Sequence, residues 1–231
     1  MVLVRWLGHS AFLIEGSSGN VLVDPYITEN PACPVKVEEI QDIDVILVTH
    51  GHGDHLGDTI EIAQNTKAKV VGIYELTLYL SKFGIETIGM NYGGTVRVGN
   101  IKISMVPAWH TSSFLEDSGE IVNLGNPAGY VIEIDDRKIY HAGDTMIFKD
   151  MELIKDVFGP IDLALLPIGG TFVMDVKQAL MSLDLIKPKY AIPMHYNTWS
   201  LIRADPYYFQ KEAENKGVKV FVLSPGEATE I

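Results

Sequence analysis

The chain contains one cysteine, Cys33, so no intramolecular disulfide can form and a thiolate metal cluster is excluded. A lone thiol suits a reducing compartment. Basic side chains are scarce, with 18 Lys and Arg against 30 Asp and Glu for a net charge of −12. Such an acidic surface repels phosphate backbones and anionic bilayers, which disfavours nucleic acid and membrane partners. No apolar run reaches the roughly 18 residues of a membrane span. Met1–Glu15 has neither the long apolar stretch nor the small-residue cleavage site of a secretory leader. A soluble, cytoplasmic protein is expected. Low-complexity tracts, charge blocks and Ser/Pro-rich linkers are absent too, which points to a single domain over residues 1–231. A chain of this length buries roughly 70–75% of its unfolded surface. It needs no metal to hold its core, so a metal site would be there for chemistry.

The apolar fraction is 47%, an ordinary globular value. Its pattern is mixed α/β, of the α+β type. Strands are expected at Val2–Leu7, Ala11–Glu15, Val21–Asp24, Asp44–Val48, Lys69–Ile73, Thr95–Val98, Ile101–Val106, Gly129–Ile134, Lys138–His141, Ile161–Leu166, Tyr190–Ile192 and Val218–Leu223. Helices are expected at Leu56–Thr66, Glu75–Phe83, Asp150–Phe158, from an Asp175 cap through Ile186, and at Pro206–Asn215. Hairpins alternate with crossovers, so both parallel and antiparallel pairing should occur.

Residues 49–55 read Thr-His-Gly-His-Gly-Asp-His. Three imidazoles and a carboxylate in so short a span are the donor set of zinc and, with different weighting, of manganese, iron or nickel. A His-rich solvated loop and a closed structural zinc site are the bland alternatives, but structural sites favour Cys ligands. The break before the helix expected near Leu56 places Asp54 and His55 on a strand-to-helix loop. Four donors from one loop would crowd a tetrahedral ion, and further donors lie elsewhere. His50, His110, Asp144 and His195 each follow an expected strand by two to four residues. Sites in α/β folds are built where loops leave the carboxyl ends of strands, so these four should converge.

His50-x-His52-x-Asp54-His55, His110, Gly143-Asp144-Thr145 and His195 together resemble the metallo-β-lactamase superfamily over nearly the whole chain. Gly8-His9-Ser10, Asp24-Pro25, His141-Ala142-Gly143-Asp144-Thr145 and Ile192-Pro193-Met194-His195-Tyr196 resemble more narrowly its metal-dependent hydrolase branch related to ascorbate-6-phosphate lactonase. The resemblance implies a four-layer αββα sandwich of two mixed sheets with a dinuclear site at one edge. It implies one ion on His50, His52 and His110, a second on Asp54, His55 and His195, and Asp144 bridging both. It also implies two divalent ions, zinc first, with manganese, nickel or iron as alternatives. His52 stands where redox-active di-iron relatives carry Glu, which favours hydrolysis over oxygen chemistry.

The expected reaction is attack by a metal-bridging hydroxide on a phosphate ester, a phosphodiester or a lactone-type ester. Asp54 would orient the nucleophile. Two dications outweigh two aspartates and a hydroxide, so a small anionic substrate could bind despite the acidic surface. β-Lactam hydrolysis is disfavoured by the missing leader and RNA processing by the missing basic arm. The competing reading is a catalytically silent metal-binding regulatory module. A homo-oligomer stays open. His9 is assigned to the catalytic set as a donor behind the ligands or a leaving-group acid, with a core histidine as the alternative. His141 is read as a core histidine and Cys33 as structural. Asp24 is read as a support of the ligand loop or a turn former, and Leu166–Gly170 as a turn. Trp109, Tyr196 and Trp199 are read as core aromatics or pocket walls.

Overall fold

Runs of β-branched residues without a polar break make strands that need cover on both faces. In the computed structural model, which describes residues 1–231, the chain opens with three antiparallel strands. These are β1 (Leu3–Gly8), β2 (Ala11–Gly16) and β3 (Gly19–Val23). It continues through β4 (Val45–Leu47), a one-turn helix α1 (Gly53–Leu56), α2 (Thr59–Thr66), β5 (Lys69–Ile73), α3 (Tyr74–Ser81) and β6 (Thr87–Met90). Strands β3 to β6 pair in parallel.

The second half repeats the plan. Strands β7 (Thr95–Val98) and β8 (Ile101–Pro107) are followed by a small hairpin, β9 (Ser113–Leu115) and β10 (Ile121–Asn123). Strands β11 (Ala128–Ile134) and β12 (Arg137–His141) complete an antiparallel set with β7 and β8. Then come α4 (Glu152–Phe158), β13 (Leu163–Pro167), α5 (Val176–Ile186), β14 (Tyr190–Met194), α6 (Pro206–Asn215) and β15 (Lys219–Val220), with β12 to β15 parallel. A last strand, β16 (Ala228–Glu230), returns to pair with β1.

Two seven-stranded sheets result, each antiparallel over one half and parallel over the other. One contiguous core of 64 buried residues joins them. Helices α2 and α3 pack on β5, α3 also on β6, while α6 covers the other side at β15 and α5 packs against α4 and α6. This is the four-layer sandwich expected. No helix is long and apolar enough to cross a membrane.

Strand direction decides where side chains meet. Strands β1 and β3 both run antiparallel to β2, and β4 runs parallel to β3. Strands β8 and β12 both run antiparallel to β11, and β14 shares their sense through β13. His9, Asp24 and His50 therefore leave one sheet at the same edge, and His110, Asp144 and His195 leave the other at one edge.

Several expectations needed correction. The helix over Leu56–Thr66 is two helices, broken at Gly57–Asp58, and Asp54 and His55 sit inside α1 rather than on a loop before it. Gly57 has φ +41°, and a Cβ there would strike the Pro25 carbonyl, so the break is built in. The strand at Val218–Leu223 shrinks to Lys219–Val220. One edge of the first sheet is closed by β16, which the sequence pattern does not reveal, nor does it reveal β6, β9 or β10.

One buried hydroxyl ties the sheets together. Tyr130 on β11 donates to the Val48 carbonyl just beyond β4 at 2.8 Å, with the Val71 carbonyl of β5 at 3.4 Å. Replacing Tyr130 with Phe leaves that carbonyl buried and short of its donor. The expected loss is about 1–3 kcal/mol, read as a lower urea midpoint at unchanged slope. An unchanged midpoint would mean the bond contributes nothing to joining the sheets.

Candidate metal centre

Three non-glycine residues at the shared edge hold left-handed backbone: His9 (φ 54°), Asp24 (φ 46°) and His195 (φ 54°). Each ends or follows a strand, and the sharp reversal turns its side chain toward the gap between the sheets. Strain of this kind persists only where the surroundings enforce it. Gly143 (φ 63°) precedes Asp144, and a Cβ there would sit 2.5 Å from the Ala128 carbonyl, so only glycine lets the chain turn Asp144 inward.

Asp24 organises the next layer. It is fully buried and accepts three hydrogen bonds, from Thr49 N at 2.8 Å, Thr49 Oγ1 at 2.7 Å and His55 Nδ1 at 2.7 Å. With its only hydroxyl proton committed to Asp24, Thr49 Oγ1 accepts from His50 Nδ1 at 3.0 Å. His50 and His55 therefore both carry their proton on Nδ1 and present a bare Nε2 to the interior. Of the two readings the sequence left open for Asp24, the supporting one is what the structure shows.

The inward donors fall into three overlapping groups. His50, His52 and His110 form one, His9, Asp54, His55 and His195 a second, and His50, His55 and Asp144 a third; within each, donor atoms lie within 4.8 Å of one another. Asp144 Oδ2 sits among them, 3.0 Å from His195 Nε2, 3.3 Å from His55 Nε2 and 3.6 Å from His110 Nε2. Yet His55 Nε2, both ring nitrogens of His195 and Asp144 Oδ1 are buried without a hydrogen bond. Each such atom costs about 1–3 kcal/mol unless something satisfies it. His50 Nε2 and His52 Nδ1 face each other at 3.0 Å. Lone pairs and carboxylate oxygens converging on the same space fit divalent cations.

The charge balance agrees. Burial pushes the His50 imidazole well below its usual range, helped by the neighbouring histidines. Burial would raise the Asp144 carboxyl, but His195 and His55 outweigh it and hold it well below the carboxylate range. Asp54 is held down in the same way against burial, by His55 and by its bond from His9. Burial opposes charge on His55, but Asp144, Asp24 and Asp54 overcome it and lift its affinity for a proton. The carboxylates demand positive charge at this spot, and a metal ion supplies it as a proton would.

His9 lies in this group as a donor rather than at the cavity surface. It is fully buried, with Nε2 3.1 Å from Asp54 Oδ2 and Nδ1 2.8 Å from Thr198 Oγ1. Burial, then the nearby His195, lowers its imidazole to about 4, so it stays neutral near pH 7. It therefore donates one proton to Asp54 and accepts from Thr198, an arrangement that a leaving-group acid facing substrate would not show. His141 is a core histidine, with Nε2 donating to the Ser10 carbonyl and Nδ1 accepting from Gly143 N, both at 3.1 Å. Tyr196 stacks on Trp6 at 5.4 Å in the core. The turn at Leu166–Gly170 spends the amides of Ile168 and Gly170 on Met194 and Met174. Cys33 is half-buried against the Val35 carbonyl.

A cavity of about 460 Å³ opens over the cluster, with His52, Asp54, His110, Asp144 and His195 in its floor. Sequence reasoning missed Thr49 and Thr198, whose only signal is a hydroxyl one residue before His50 and three after His195. It missed Phe172 and Leu201 altogether.

Comparison with known proteins is consistent with this geometry. The model of a family described as the beta-lactamase superfamily domain matches residues 19–196. A metal-dependent hydrolase from Thermococcus onnurineus is 54% identical, with 100% of each chain covered. Another from Archaeoglobus fulgidus is 50% identical over 98% of each chain. The solved structure of a metallo hydrolase from the hyperthermophilic archaeon Ignicoccus hospitalis superposes with a TM-score of 0.88 at 38% identity, covering 100% of this chain and 99% of that one.

Because Asp24 sets the orientation of two imidazoles, Asp24→Asn should weaken binding of Zn²⁺ or Mn²⁺ by about 10- to 100-fold in a chelator-competition titration. Affinity within twofold of the wild type would show that the support is dispensable.

Proposed function

The chain belongs to the metallo-β-lactamase superfamily and is a metal-dependent hydrolase, and from that premise we propose that it cleaves a phosphate ester, a phosphodiester or a lactone-type ester at a dinuclear site. The observation that carries this reading is the convergence of buried, unpartnered His55, His195 and Asp144 atoms beside His50, His52 and His110 at the floor of an open cavity. His50, His52 and His110 would hold one ion, and Asp54, His55 and His195 the other. Asp144, within 3.6 Å of His55, His110 and His195, would touch both. Five imidazoles and two carboxylates suit zinc first, then manganese, nickel or iron.

Bound there, divalent ions supply an ionised water near neutral pH and polarise the bond that breaks. The chain's own residues do the positioning. Asp54 lines the cavity and is held ionised, so it can accept a hydrogen bond from the attacking water and aim it. His9 donates to the Asp54 carboxylate and Thr198 fixes the ring. Asp24, through Thr49 and directly, keeps His50 and His55 in the tautomer a ligand needs. The substrate is a small molecule, of the size that a cavity of about 460 Å³ admits. The lone Cys33 and the acidic surface fit a cytoplasmic setting.

Turnover of bis(nitrophenyl) phosphate and of γ-butyrolactone, measured with Zn²⁺, Mn²⁺ or Ni²⁺, tests the reading. Activity on at least one is expected, lost on chelation and restored by the ion. Asp54→Asn should lower kcat by about 10²- to 10⁴-fold. Turnover that survives complete metal removal, or full activity in Asp54→Asn, contradicts the proposal.

A further inference from the structure

The walls of the cavity differ in chemistry from its floor. Beside the cluster they are Thr111, Phe172, Trp199 and Leu201, and no lysine or arginine lines the space. Phe172 is 50% exposed and Leu201 63% exposed, so two large apolar side chains stand open to water at the cavity itself. Trp199 is half-buried, its ring 4.9 Å from that of His9, which backs it from the site side.

These side chains are placed by tied loops. Thr171, with left-handed backbone at φ 53°, donates through Oγ1 to the Leu201 carbonyl at 2.7 Å and so links the loop carrying Phe172 to the loop carrying Leu201. Val173 N donates to the Gly170 carbonyl at 3.1 Å, closing a tight turn around Phe172. The Asn197 side chain both donates to and accepts from the Ala204 backbone at 3.1 Å, closing the loop that holds Trp199 and Leu201. Near His110 and Asp144 in the chain, Trp109 (63% exposed) and Met146 (51% exposed) are joined by a bond from Met146 N to the Trp109 carbonyl at 3.3 Å. Exposed apolar side chains that line a reactive cavity mark a surface suited to an apolar ligand.

Charge narrows the ligand further. Recognition of a phosphate or carboxylate away from the reacting centre calls for Arg or Lys, and the walls offer neither. The net charge of −12 opposes such a group at longer range as well. We propose that the substrate is an uncharged ester of lactone type whose apolar substituent packs against Phe172, Trp199 and Leu201. This rests on the hydrolase reading above and selects one of its substrate classes.

The metal-loaded full chain is assayed on γ-butyrolactone, on γ-decalactone, which adds a hexyl chain, and on a carboxylated γ-butyrolactone. The value of kcat/KM is expected to be on the order of 10- to 100-fold higher for γ-decalactone than for γ-butyrolactone. The carboxylated lactone should be poorer than either. Phe172→Ala and Leu201→Ala should each shrink the preference for γ-decalactone several-fold. Val157→Ala, at an exposed apolar position on α4, should leave the preference as it is. Equal rates on the two neutral lactones, a carboxylated lactone as good as γ-decalactone, or a preference unmoved in both cavity variants would overturn the proposal. A hexyl-substituted lactam and its unsubstituted parent, titrated by calorimetry, read the wall without turnover. Tighter binding of the hexyl compound, weakened in Phe172→Ala, supports it, and equal binding overturns it. Absence of turnover on every ester and phosphodiester, with the lactam preference intact, would contradict the proposed reaction and still support the apolar wall.

Discussion

Four buried nitrogen and oxygen atoms at the seam between the two sheets, on His55, Asp144 and His195, have no hydrogen-bond partner. Most buried polar atoms in native proteins are hydrogen-bonded, and four of this chain's seven exceptions fall on these three residues. His55 Nε2 and His195 Nε2 both face the Asp144 carboxylate, at 3.3 and 3.0 Å, a set that is stable only if the folded protein satisfies it with something the chain does not itself provide. The same atoms sit amid carboxylates that pull protons onto His55 against the effect of burial. A cation answers both demands at once, and the rest of the molecule can be understood as the frame that keeps the demand in place.

That frame is the strand plan. Each half of the chain begins with antiparallel strands and ends with parallel ones. The strands that carry site residues share one sense within their sheet, so His9, Asp24 and His50 meet His110, Asp144 and His195 across the core. Left-handed backbone at His9, Asp24 and His195 turns those residues into the gap. Such conformations cost stability, which the 64-residue core can support. Asp24 converts this placement into chemistry, because three hydrogen bonds to one buried carboxylate fix the tautomers of two imidazoles. The floor is thus polar and tied by hydrogen bonds, while Phe172 and Leu201 on the walls are exposed apolar side chains.

Much of this was legible in the sequence because metal chemistry restricts residue type and strand ends restrict position. The cluster at His50–His55 and the outlying His110, Asp144 and His195 could be brought together by the rule that sites form beyond the carboxyl ends of strands. The buried strands were legible because they read as continuous apolar runs. The break at Gly57 was not, since it depends on the Pro25 carbonyl, a neighbour distant in the chain. The β9–β10 hairpin escaped because each strand is only three residues long and none of its residues is buried, so no alternation can show. Strand β16 escaped because its pairing with β1 joins opposite ends of the chain. Thr198, Phe172 and Leu201 gain their meaning from neighbours in space, and a lone threonine, phenylalanine or leucine carries no motif.

Whether ions sit at this seam can be read from anomalous scattering of a crystal grown with Zn²⁺ or Mn²⁺, collected on both sides of the absorption edge. Two peaks are expected, one bounded by His50, His52 and His110 and one by Asp54, His55 and His195, with Asp144 reaching both. Saturated protein whose ions lie elsewhere, or whose His195 and Asp144 touch no metal, would contradict the dinuclear site.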